Sequence, residues 1–170
     1  MLTMIISPAK KLDYAAIDEE LSSSEPILLN HSKGLIGELE KLSPQGVSSL
    51  MGLSDKLGAL NYQRFQEWQL PFTKNNAKQA ILAFKGDVYQ GLDAESLSKE
   101  DLDWAQDNLR ILSGLYGILR PLDLMQPYRL EMGTKLKTKR GKDLYQFWGS
   151  TIADELNKTF KSPNGILLNL

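Results

Sequence analysis

The chain has 170 residues, 42% of them hydrophobic and 24% charged, with a formal net charge of −1 and no cysteine. This suits one globular domain and excludes disulfides, cysteine-type zinc sites, iron–sulfur clusters and thiol nucleophiles. A molecule so near neutrality is no general polyanion magnet, so nucleic-acid binding requires a local basic face.

Residues 1–6 are apolar and stop at Ser7-Pro8. Proline lacks an N–H and disfavours helix in the residue before it, so 2–6 read as a strand opening into a loop. The run is too short for a signal peptide and has no basic front. No stretch reaches the roughly 18 apolar residues of a membrane helix, and a cytoplasmic location without membrane contact is expected. Residues 13–25 are polar and acidic, with Asp18, Glu19 and Glu20, and read as a surface excursion. Leu28, Leu35, Leu39 and Leu42 form a helical stripe. Ser43-Pro44 is an N-cap followed by proline at the first helical position, opening a short helix to Met51. Gly52-Leu53-Ser54 breaks it, and Ser54 caps a helix carrying Leu57, Leu60, Phe65 and Trp68.

Residues 77–84 fit helix or buried strand, and the glycines that follow, Gly86 and Gly91, favour a strand at 80–84. Ser98 with Asp101 makes a capping box for a helix burying Leu102, Ala105 and Leu109. Residues 110–115 read as a buried strand running into the Gly114 and Gly117 loop. Residues 129–142 suggest an edge hairpin turning at Lys139-Arg140-Gly141-Lys142. Residues 143–160 form a final amphipathic helix, and 166–170 one more buried strand. Alternating strands and helices predict one α/β domain over 1–170, with a mixed sheet and surrounding helices. The chain stops inside an apolar run, which suggests further sequence beyond it.

Chemistry concentrates at the predicted strand exits. Lys10 follows the first strand, Lys85 and Asp87 the 80–84 strand, and Tyr116, Arg120, Tyr128 and Arg129 the 110–115 strand. In open α/β sheets ligands bind beyond the carboxyl ends of strands, so these residues predict one electropositive cleft for a phosphate or base, with Asp87 as its carboxylate. The competing reading is a set of separate surface pairs. Residues 50–58, LMGLSDKLG, approach the helix-hairpin-helix pattern apolar-x-Gly-apolar-Gly-x-Lys-x-small: Gly52, Lys56 and Gly58 match, and Ser54 replaces the second glycine. In that arrangement backbone N–H groups and a helix N-terminus meet a DNA phosphate without reading sequence. An ordinary helical hairpin is the alternative. His31, the only histidine, lies on a polar stretch and reads as a surface residue. This argues against a histidine triad or metal site, and no metal or cofactor is expected.

SPAKKLD at 7–13, LAFKGDVYQGL at 82–92, LRILSGLYGILRPLDLMQPYRLEMG at 109–133 and LYQFWG at 144–149 together resemble the YaaA family of bacterial peroxide-stress proteins. The resemblance implies a role in the hydrogen peroxide response, with lowered unincorporated iron and protection of DNA. It also implies an unusual α/β topology with a positively charged cleft, a helix-hairpin-helix element within 43–67, and binding to double-stranded DNA. An enzyme acting on a nucleotide or damaged nucleobase is the alternative. Direct iron storage fits poorly, because no Glu-x-x-His pair appears.

Overall fold

The structure is a computed structural model describing residues 2–16, 21–160 and 165–170. Asp18, Glu19 and Glu20 of the acidic excursion lie outside them. In chain order come β1 (Leu2–Ile6), β2 (Lys11–Leu12), α1 (Leu29–Leu39), α2 (Pro44–Met51), α3 (Asp55–Glu67), β3 (Lys78–Gln79), α4 (Ala80–Ala83) and β4 (Phe84–Lys85). There follow α5 (Asp87–Leu92), a 3-10 turn (Ala94–Ser96), α6 (Lys99–Asn108), β5 (Leu109–Ser113), β6 (Gly117–Leu119), β7 (Leu124–Met125), α7 (Leu144–Trp148), α8 (Thr151–Thr159) and β8 (Ile166–Asn169).

The main sheet has the order β6-β5-β1-β8. β1 runs parallel to both neighbours, Met4 facing Leu109 on one side and Leu168 on the other. β5 turns back antiparallel into β6, so the sheet is mixed, as expected. Two small ribbons flank it: β2 pairs with β4, and β3 with β7. One hydrophobic core joins the layers. Trp148, Tyr116, Phe65 and Phe84 are among its largest fully buried side chains.

Local signals account for most helix ends. Ser43 caps α2 through Gly46 N–H, and Asp143 caps α7 through Gln146 N–H. Ser98 and Asp101 form the reciprocal capping box that opens α6. Leu35 and Leu39 bring the α1 stripe into the core.

Several expectations are corrected. Residues 80–84 are not one strand: Ala80 to Ala83 form one buried helical turn between the two ribbons, and only Phe84 is extended, in β4. An unbroken apolar run satisfies burial equally as helix or strand. The backbone here is held by Ala80 N–H donating to Asp123 O and Ile81 N–H to Pro121 O. Residues 166–170 do include a strand of the main sheet, but it is exposed, not buried, because among the described residues little beyond β1 packs on β8. The helix expected over 143–160 is two, broken at Gly149, whose φ of 49° is left-handed. The 129–142 hairpin reduces to a single bridge, Thr138 to Gly141. On α3 the buried face is Gly58, Asn61 and Phe65, leaving Leu57 and Leu60 exposed. His31 is half-buried, stacked on Trp148 at 5.7 Å.

Candidate functional site

Strands β1 and β5 are parallel, so their carboxyl ends open on the same edge of the sheet. There the loop 7–10 and the turn after Ser113 meet the segment 128–132 around a cavity of about 320 Å³. Three sequence-predicted residues line it together: Lys10, Tyr128 and Arg129.

Each is positioned by recognisable contacts. Tyr89 Oη donates to Ser7 O at 2.8 Å and ties the first loop to α5. Gly114 passes so close to the 128–132 segment that a Cβ there would sit 2.1 Å from Leu130 O, and only glycine permits that approach. Ser113 Oγ and Tyr128 Oη share a buried hydrogen bond of 2.6 Å, and Ser113 Oγ also accepts from Tyr116 N–H at 2.9 Å. Burial pushes the Tyr128 phenol well above its ordinary pKa, so it stays neutral and serves as a hydrogen-bonding group.

The pocket's charge sits at its rim. Glu131 Oε1 lies 3.0 Å from Lys10 Nζ and 3.5 Å from Arg129 Nη2, so two cations share one carboxylate. Arg129 Nε is buried and has no hydrogen-bond partner among the described residues. The position of Glu131 between two loop cations required the fold.

The other predicted cleft residues are engaged elsewhere. Arg120 holds the buried carboxylate of Asp123, with Nη2 to Oδ1 at 2.9 Å and Nε to Oδ1 at 3.1 Å. Burial pushes that carboxyl up in pKa, while bonds from Ser24 and Arg120 pull it back without cancelling the rise. Tyr116 is fully buried, accepting from Trp68 Nε1 and donating to Gln126 O. Lys85 pairs with Glu95 at 2.7 Å and lies 4.0 Å from Asp13. Asp87 is exposed in the first turn of α5.

The second candidate region is the pair α2 and α3. Gly52 ends α2 in the left-handed conformation, φ 61°, with nothing within 4 Å of where its Cβ would be. Ser54 caps α3, accepting from Leu57 N–H at 3.4 Å. Lys56 is exposed and makes no ion pair among the described residues, while Asp55 precedes it in the same first turn. Gly58 lies against α2, where a Cβ would stand 1.8 Å from Ser48 Oγ. Its smallness is what lets the two helices pack closely.

Among the described residues no group of three or more His, Cys, Asp or Glu is arranged to hold a metal ion, and no helix is long and apolar enough to cross a membrane.

Known proteins share this sequence along its length. The profile of the family described as "Peroxide stress protein YaaA" matches residues 2–170. A protein of Teredinibacter turnerae named "UPF0246 protein" is 58% identical over 170 residues, covering 99% of this chain and 66% of that protein. A Cellvibrio japonicus protein of the same name is 57% identical over 167 residues, covering 98% and 65%. One from Saccharophagus degradans is 61% identical over 160 residues, covering 94% and 62%. The chain thus spans a little under two thirds of the length of these relatives. The match across both candidate regions and the whole described fold shows that the chain belongs to the YaaA family of peroxide stress proteins.

Proposed function

We propose that this chain is a cytoplasmic peroxide-stress protein that protects DNA and limits unincorporated iron, with Gly52, Ser54 and Lys56 binding the phosphate backbone of double-stranded DNA. The observation that supports this most is the turn between α2 and α3. Its Gly52 is left-handed and open to solvent, and Lys56, which makes no ion pair among the described residues, stands in the first turn of α3. A helix N-terminus beside a lysine attracts phosphate through backbone N–H groups and positive charge. Fluorescence anisotropy with two unrelated duplexes tests it. Lys56→Ala weakens both alike and lowers the salt slope by about 0.9, one counterion's worth. Gly52→Val does more damage, because a β-branched residue is strained at positive φ. Unchanged affinity in both variants leaves the hairpin purely structural.

The second reading, an enzyme acting on a nucleotide or damaged nucleobase, draws support from Lys10, Tyr128 and Arg129 lining one strand-exit pocket. Lys85, Asp87, Tyr116 and Arg120 are not part of that lining.

A further inference from the structure

The strand-exit pocket has an asymmetric chemistry. One side carries Lys10 and Arg129, and their shared carboxylate Glu131 leaves a net positive charge. Pro8, Leu130 and Met132 contribute an apolar wall, and Ser113 and Tyr128, whose hydroxyls share a buried hydrogen bond, also line the cavity. The buried Arg129 Nε, without a partner among the described residues, is an unsatisfied donor of the kind folded proteins rarely leave. In a guanidinium Nε and Nη2 carry two parallel N–H groups, which match two oxygens of a phosphate or carboxylate; Nε is sealed from solvent here, so both reach a ligand only when the Arg129 side chain turns toward the cavity. Glu131 does not fill that fork, since it touches only Nη2, at 3.5 Å. A cavity of about 320 Å³ is also larger than a lone anion needs, and falls within the ordinary range of small-ligand pockets.

We propose that this pocket binds a nucleoside monophosphate, its phosphate held by the Arg129 fork with Lys10 assisting, and its base against the apolar wall within reach of the hydroxyl pair. The proposal rests on the second reading for the site's location but asks only for binding, not for a reaction. It is independent of the hairpin.

Titration calorimetry on the full chain at low salt, with AMP, GMP, CMP and dTMP, tests it. The matching nucleosides and inorganic phosphate serve as fragments of the ligand. At least one mononucleotide binds, and the matching nucleoside and phosphate alone are each about tenfold weaker or worse, because each keeps only part of the contacts. Arg129→Gln weakens binding about tenfold, and Arg129→Lys restores little of it, since lysine keeps the charge and loses the fork. Lys10→Ala weakens binding about threefold with an unchanged melting temperature. Lys10 is 65% exposed, so this variant speaks even if Arg129→Gln folds poorly.

No heat with any mononucleotide overturns the proposal. So does parental affinity in both Lys10→Ala and Arg129→Gln. Equal affinity for inorganic phosphate reduces the site to an adventitious anion contact, and displacement of the mononucleotide by duplex DNA reassigns it to the DNA interface. Binding without turnover of the bound mononucleotide leaves this proposal standing and removes the enzyme reading. Turnover of an uncharged nucleoside without mononucleotide binding does the reverse.

Discussion

Arg120 illustrates how a residue type can be read from sequence while its role is not. Arginines and lysines beyond strand ends all suggest a ligand, yet Arg120 turns inward onto Asp123, whose side chain has no exposed surface. Arg120→Ala therefore leaves a buried carboxylate with only Ser24 Oγ and a backbone N–H. Loss of one partner of a buried pair costs about 3 kcal/mol or more. Urea unfolding at neutral pH measures that loss, which shrinks in acid as Asp123 takes up a proton. A loss as large at acid pH as at neutral pH would refute the buried-charge explanation. His31 offers a second test. Burial, then the charge of Arg140, holds its pKa below the usual 6.5. The unfolded chain thus binds its proton more readily, so His31's contribution to stability is present above pH 6.5 and lost as pH falls through the folded value. With one histidine in the chain, its proton NMR titration is unambiguous. The midpoint lies below 6.5 and rises when Arg140 is replaced by glutamine. A midpoint at or above 6.5 in the parent protein would contradict this.

At the level of elements, turn chemistry was legible and apolar runs were not. Ser43, Ser54 and Ser98 all cap helices, because a side-chain oxygen near free N–H groups acts locally. The AILA run at 80–83 carries no such information. Its helical turn is chosen by what the neighbouring ribbons and Asp123 O offer its backbone. The pocket shows the same division. Lys10, Tyr128 and Arg129 were recognisable as strand-exit residues, while the Glu131 bridge and the Ser113–Tyr128 bond depend on pairing across the fold. The crossing at Gly114 is where element geometry is least forgiving. Gly114→Ala puts a methyl into Leu130 O, a backbone atom that can move only by shifting the pocket wall. Overpacking of this kind destabilises by about 1–3 kcal/mol. Thermal unfolding of that variant, beside Gly34→Ala as a control with open space at its Cβ, isolates the clash. Equal melting temperatures would mean that the close approach is not a constraint.

Across the whole molecule, parallel pairing places the first strand at the centre of the main sheet and the last strand at its edge. Alternation of elements made an α/β sheet readable in advance, but strand order is a property of crossovers that no local pattern encodes. Edge position alone does not decide exposure: β6 and β8 are both edges, yet β6 is buried while Ile166, Leu167 and Leu168 are exposed, because among the described residues little beyond β1 packs on β8. The same arrangement bears on the order of assembly. The hairpin of α2 and α3 forms from residues adjacent in the chain, and such local contacts close rapidly. Met4, by contrast, finds its partners far along the chain, at Leu109 and Leu168. Closing loops of that length carries its entropic penalty before the reward of pairing. Contact order alone thus predicts that pairing at the centre of the sheet is a late event of folding. Until it occurs, β1 is an apolar strand with both edges open, and the nascent chain is most exposed to misassembly at its own first residues.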